Sequence, residues 1–311
     1  MEALCSSRQQ DRQDTAEQAT LAIWQREQSK WQRRLKWLAS NPSKRWAELF
    51  FLAYSPFWIL WALCILVPFQ LYEYCGNWGY MLVGTACAGP CFVLPIFIQG
   101  KADVSKPWHQ RYWVKANLWI AIFSFIGNYF WTHYFFKLLG ASYTFESFRL
   151  NGVPICLYLM THAYFCFYHT VSNLLLRRVQ TGLSKSSALL RRIAMGLVVF
   201  LLAYSTAYAE TLTIAHFPYY TFVDKSRMYT VGSLFYAIYF FVSFPMFFRI
   251  DEDMVSSPKW TLQNVALDSL AAGMLVTILL DLWRISIGSI TEEGGSSMPE
   301  TESRLPWMEM M

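Results

Sequence analysis

Glu210 lies in the apolar run LVVFLLAYSTAYAETLTIAHF, and helical spacing puts Thr206 and Thr213 on its face. A carboxyl that deep in an apolar segment is expected in its neutral form, and a neutral carboxylic acid in an apolar cavity is a proton donor. Further along, Asp268 and Asp281 occupy another apolar run. Asp281 has Arg284 three residues on and reads as half of a local ion pair at the membrane edge.

A second group of polar residues falls in stripes. Tyr158, His162, Cys166, His169 and Asn173 share one helical face, as do Asn117, Ser124 and Asn128. Such faces turn away from lipid, because an ionisable group in hydrocarbon is costly and faces other helices or a cavity by default. In GNYFWTHYFFKLLGASYTF, residues 127–145, Asn128, His133 and Lys137 stand among aromatic residues. This stretch reads either as the wall of a pocket for a large apolar ligand whose chemistry passes through charge, or as a tightly packed helix with one stabilising polar contact. His133 falls on roughly the opposite side of a regular helix from Asn128. It reaches the same pocket only if that helix bends or packs on both sides.

The elements that must position these residues follow from composition. The chain is 55% hydrophobic, 18% aromatic and 15% charged, against a charged share of roughly 25% in soluble domains. Its apolar residues come in long runs, so the expected fold is all-α, a polytopic membrane helix bundle. Seven runs near 46–68, 79–99, 113–138, 154–176, 192–215, 229–249 and 265–287 each offer the roughly 20 residues that a crossing needs. Prolines inside them, such as Pro56, Pro90, Pro95 and Pro245, are tolerable where neighbouring helices satisfy the freed carbonyls.

Lys and Arg crowd the approach to the first run (Lys30, Arg33, Arg34, Lys36, Lys44, Arg45), the second connection (Lys101, Lys106, Arg111, Lys115) and the fourth (Arg177, Arg178, Lys185, Arg191, Arg192). The positive-inside rule then puts the N-terminus in the cytosol and, with an odd number of spans, the C-terminus opposite. Asp251, Glu252 and Asp253 dilute that signal at the sixth connection. Before the bundle, residues 1–42 form a polar extension in which Leu21, Trp24, Trp31, Leu35 and Leu38 recur at helical spacing among basic residues. That extension reads equally as an amphipathic surface helix ended by Asn41 and Pro42, or as a solvated tail. Residues 43–288 form the transmembrane domain. Residues 289–311, rich in Gly, Ser, Glu and Pro, read as a disordered tail.

Several chemistries lack their ligands. The five histidines never stand two to four residues apart, as a membrane di-iron oxygenase requires. No GxxxxGK or GxGxxG cradles a phosphate, so neither nucleotide nor tightly bound metal is expected. Nor is there a nucleic-acid module, since the net charge of +5 is concentrated between spans. The seven cysteines read as small core residues without a disulfide framework. What remains is cofactor-free acid–base chemistry or ligand binding.

Longer words carry a resemblance. SKRWAELFF (43–51), RYWVKANLWI (111–120), residues 127–145, FPYYTFVD (217–224), VGSLFYAIYFFVSFPMFFR (231–249) and LVTILLDLWR (275–284) resemble the cycloeucalenol cycloisomerase family. The resemblance covers nearly everything from residue 43 to about 288; the extension, residues 179–190 and the tail depart from it. It implies an enzyme of the endoplasmic-reticulum membrane that opens the 9β,19-cyclopropane ring of cycloeucalenol to give obtusifoliol. The substrate is then a cyclopropyl sterol drawn from membrane lipid.

That reaction needs a proton delivered to C19, tolerance of a cation at C9, and removal of hydrogen from C8. Glu210 is the expected acid, with His133 or His162 as base or relay. Tyr129, Trp131 and Tyr236 offer faces that each stabilise a nearby cation by about 0.5 to 2 kcal/mol. Asn128, His169 and Asp268 complete the expected substrate contacts.

Overall fold

The computed structural model describes residues 37–214, 217–252 and 260–291, and its regular structure is helical apart from four two-residue strands. The surface helix expected before residue 37, His216, and most of the C-terminal tail lie outside the described residues. Helix α1 (Pro42–Leu60) starts where Asn41 caps it: Asn41 Oδ1 accepts from the amides of Ser43 (3.0 Å) and Lys44 (3.4 Å), and Pro42 holds the first helical position. The helix runs on through a π-turn, Trp61–Leu66. Helix α2 spans Asn77–Phe97. Helix α3 (Tyr112–Ile126) passes through a π-turn, Gly127–Trp131, into α4 (Thr132–Leu139). Helices α5 (Ile155–Gly182) and α6 (Ala188–Ile214) follow. A turn at Lys225–Arg227 and a π-turn, Met228–Gly232, lead into α7 (Ser233–Phe248), and α8 covers Leu262–Ser286.

These are seven continuous rods at the seven expected apolar runs, and five of them are long and apolar enough to cross a membrane. The other two are the α3–α4 rod and α5, which carry the polar stripes. Their composition has a packing reason. Helix α5 is surrounded by α1, α2, α3, α6 and α7, so its His162, Cys166, His169 and Asn173 meet protein and are all buried.

At one end of the bundle a buried charge network ties the rods together. Lys44 Nζ donates to the carbonyls of Phe248 (2.8 Å) and Ile250 (2.7 Å) and pairs with Glu252 at 2.9 Å. Arg177 makes two-pronged bonds to Glu48 (2.7 and 3.0 Å) and to Glu252 (2.6 and 2.8 Å). Lys115 pairs with Asp251 at 2.6 Å. Burial by itself would raise the Glu252 carboxyl's pKa, but Lys44 and Arg177 outweigh it and hold that pKa below its ordinary value. Asp251 and Glu252 of the sixth connection, which weaken the orientation signal in the sequence, are thus partners of basic residues from three other elements.

The opposite end is closed by aromatic connections. Strand β1 (Ser142–Tyr143) pairs antiparallel with β4 (Tyr220–Thr221), while β2 (Arg149–Leu150) and β3 (Val153–Pro154) form a hairpin. The Tyr219 hydroxyl bonds to Glu73, and Asn77 Nδ2 donates to Glu146 at 3.3 Å. Packed chain also continues past residue 288, where the tail was expected to begin. Ile290 and Thr291 are buried, and the Ile290 amide donates to Leu138 O at 3.0 Å.

Candidate active site

Just inside the aromatic end lies a cavity of about 230 Å³. All three π-turns of the described residues contribute to its wall: Ala62, Leu63 and Leu66 from the first, Gly127 and Asn128 from the second, Met228 from the third. A π-turn inserts an extra residue into the helical ladder and widens it locally, and such turns recur at functional sites. At Gly127 the widening needs a residue without a side chain. A Cβ there would stand 2.9 Å from Cε3 of Trp131, closer than carbon atoms pack.

Glu210 reaches this cavity from the last turns of α6. Ala203, Ala207 and Thr211 are fully buried along the inner side of the same helix, so small residues bring α6 close to its neighbours. Tyr236, near the start of α7, donates from its hydroxyl to Glu210 Oε1 at 2.8 Å. Tyr168 of α5 lies against the same carboxyl, while Oε2 is buried without a hydrogen-bond partner. Tyr236 thus engages Oε1 and leaves Oε2 as the oxygen with no hydrogen-bond partner within bonding distance among the described residues. Among the described residues no Lys, Arg or His lines the cavity, so no cation is at hand to repay the cost of burying an ionised carboxylate.

Around the carboxyl the wall is aromatic. Phe135, Tyr164, Phe165, Tyr220 and Tyr239 join Tyr236 there. Tyr236 meets Tyr239 edge to face at 4.8 Å and Phe135 at 5.6 Å. Tyr143 stacks on Tyr220 at 4.3 Å, carrying the β1–β4 pairing into the wall. Tyr72, Tyr80, Phe145 and Phe217 form the floor, with Tyr80 and Phe145 centred 4.4 Å apart. The polar lining besides Glu210 and the tyrosine hydroxyls is sparse: Asn128, Thr132, Thr161, Thr213 and the Cys156 thiol.

Of the residues singled out in the sequence, the cavity brings together Glu210, Thr213, Asn128 and Tyr236. His133 does not line it. Thr132 does, and the next residue points about 100° away around the helix, which sets His133 beside the β2–β3 hairpin at Asn151 and Gly152. His162 is turned away for the same reason, one residue after Thr161. Its Nε2 bonds to Asn117 Oδ1 at 2.8 Å, and its ring stacks on Phe92 at 4.4 Å. His169 is fully buried elsewhere, bonded through Nδ1 to Phe165 O at 2.8 Å and packed among Trp119, Phe244 and Phe247.

Three more expected contacts serve packing. Tyr129 stacks on Phe125 at 5.6 Å, and its carbonyl accepts from Asn151 at 2.7 Å. Trp131 is fully buried and donates to Thr277 Oγ1 at 2.8 Å. Asp268 accepts from Trp119 Nε1 at 2.9 Å and pairs with Arg249, fastening α8 to α3. Asp281 accepts from Arg284 at 2.7 Å, as its spacing suggests, and also from the Tyr134 hydroxyl at 3.2 Å. Sequence reasoning missed Tyr164, Tyr168, Tyr220 and Tyr239, whose approach to Glu210 depends on how three separate segments pack.

Among the described residues no group of three His, Cys, Asp or Glu side chains converges on a point where it could hold a metal ion. The cavity offers an acid, hydroxyls and π faces.

No family model matches the chain, and no solved structure matches it. Among curated proteins, cycloeucalenol cycloisomerase of Arabidopsis thaliana is 54% identical to it over 273 residues, which are 87% of this chain and 96% of that protein.

Proposed function

The chain belongs to the cycloeucalenol cycloisomerase family, and from that premise we propose that it opens the 9β,19-cyclopropane ring of cycloeucalenol to give obtusifoliol, with Glu210 as the proton donor. One observation carries the assignment. Glu210 is the only carboxyl among the described residues of the cavity wall, with Oε1 engaged by Tyr236 and Oε2 without a partner.

The Oε2 proton passes to C19 while the C9–C19 bond supplies the electrons of the new C–H bond. C9 is left as a tertiary cation. Faces of Phe135, Tyr164, Tyr236 and Tyr239 surround that charge, and each contributes about 0.5 to 2 kcal/mol to a cation in a dry site. Loss of hydrogen from C8 then forms the ring double bond and ends the reaction without any redox change. Tyr236 keeps its hydrogen bond to the carboxylate that forms, which stabilises charge where it develops. Neither His133 nor His162 reaches the cavity, so the base role considered for them in the sequence has no geometric support.

The same reading places the protein in the endoplasmic-reticulum membrane, with all seven rods crossing it and the N-terminus in the cytosol. The charged end then faces the cytosol, the aromatic end faces the lumen, and substrate arrives from the lipid. Residues 43 to about 291 form the catalytic domain. Expression in a host without cyclopropyl sterols, with cycloeucalenol supplied to its membranes and products identified by mass spectrometry, tests the activity. Obtusifoliol is the expected product. Sterol bound and returned unchanged would mark a binding protein instead.

A further inference from the structure

We propose that Glu210 is both the acid and the base of the isomerisation: the carboxylate left after C19 is protonated takes a proton back from C8. This rests on the isomerase reading above and extends it from one proton transfer to two.

The cavity wall frames the choice. Among its described residues, only Glu210 has a side chain that the first step leaves deprotonated and able to accept a proton. The remaining proton-bearing groups on the wall are tyrosine and threonine hydroxyls and the Cys156 thiol, and in an apolar site their anions are costly to form. His133 and His162 are engaged elsewhere, at the β2–β3 hairpin and at Asn117. Once Glu210 has given up its proton, its carboxylate stands beside the cation it has created. No other described anion lines that space.

The chemistry balances on this one group. In the first step the Oε2–H bond breaks, C19 gains hydrogen, and the C9–C19 pair is consumed. In the second a carboxylate oxygen takes hydrogen from C8, and the C8–H pair becomes the C8–C9 double bond. Glu210 ends protonated, as it began, and neither oxidant nor co-reactant enters. Distance permits the exchange, because C19 and C8 are both bonded to C9 in the substrate, and after ring opening C19 stays on C10, the other neighbour of C9, so the two carbons remain three bonds of about 1.5 Å apart along the carbon skeleton. The carboxyl need not travel between them. Tyr236 anchors Oε1 at 2.8 Å, which fixes the group while Oε2 works. A consequence is that both transfers take place on the face of the sterol that bears the cyclopropane.

The test compares turnover per folded, sterol-binding molecule in wild type, Glu210→Gln, and three variants that each remove one other candidate base: His133→Gln, His162→Gln and His216→Gln. Glu210→Gln is expected to lose at least about 100-fold, and each histidine variant less than about 3-fold. Tyr164→Phe, Tyr220→Phe and Tyr239→Phe keep the ring and remove the hydroxyl, and each should lose about 10-fold at most. A histidine or tyrosine variant that binds sterol yet falls as far as Glu210→Gln overturns the proposal. So does any such variant that releases a C9-hydroxylated sterol, because that product reports a cation formed without its base. Where a variant fails to fold, its product spectrum in membranes is replaced by that of the corresponding Asn substitution. An inactive wild type would instead defeat the isomerase reading itself, and an active Glu210→Gln would defeat the acid assignment.

Discussion

The hydroxyl of Tyr236 stands 2.8 Å from Oε1 of Glu210, joining the first turns of α7 to the last turns of α6 across the cavity. Tyr236 is itself almost fully buried. This contact does two things. It holds Oε1 of the carboxyl in place, and in the proposed reaction it supplies a donor to the carboxylate that proton transfer would leave behind.

Tyr236→Phe therefore removes a donor that matters more in the transition state than in the resting acid. The expected result is a fall in kcat of about 10- to 100-fold, below the loss of about 100 to 1,000-fold typical of a deleted oxyanion donor, since Tyr168 stays beside the carboxyl. Sterol affinity should change little, because the ring remains. Steady-state kinetics alongside a binding isotherm separate the two effects, and a loss confined to affinity would reassign Tyr236 to packing.

At the charged end, Arg177 bridges Glu48 and Glu252, and together with Lys44 it balances their two charges. Arg177→Leu leaves two carboxylates facing Lys44 alone, and breaking a buried pair in this way costs about 3 to 5 kcal/mol. Thermal unfolding of the protein in detergent should show a large drop in midpoint. Arg249→Leu, whose guanidinium is about half exposed, should lower it far less.

Gly127→Ala tests the second π-turn. The added Cβ meets the Trp131 ring, so that ring must shift, at a cost of about 1 to 3 kcal/mol. The same substitution at Gly182, where nothing lies within 4 Å of the new atom, should be neutral or stabilising. Equal effects at both positions would show that the π-turn does not depend on a bare backbone.

The proposed seven crossings and cytosolic N-terminus can be read out with tags. A protease-accessible tag placed before residue 37 should be cleaved from the cytosolic side of sealed microsomes, and one placed after residue 291 should be protected. Cleavage of both would require an even number of crossings.

The seven rods and Glu210 were legible in the sequence for the same reason. A long apolar run declares itself by composition, and a single carboxyl inside one stands out. Neighbours across the bundle were not legible. Periodicity says that Thr161 and His162 point in different directions, but not that Thr161 meets the cavity while His162 meets Asn117. The charged end shows the same limit. Asp251 and Glu252 read as noise in a count of basic residues, because their partners Lys44, Lys115 and Arg177 come from distant parts of the chain. Nor does the sequence mark a π-turn, whose extra residue is set by the packing around Gly127, Met228 and Trp61.

Turnover of Glu210→Gln set against Asp281→Asn tests the central claim most directly. Gln keeps the volume and a hydrogen-bonding partner for Tyr236 but has no transferable proton, so turnover per folded molecule should fall by at least about 100-fold while sterol still binds. Asp281 lies outside the cavity and holds Arg284 and Tyr134. Its Asn variant should therefore lose stability, by about 1 kcal/mol for a partly exposed pair, and keep its chemistry. Normal turnover by Glu210→Gln, with Asp281→Asn binding sterol but failing to convert it, would contradict the account and move the acid to α8.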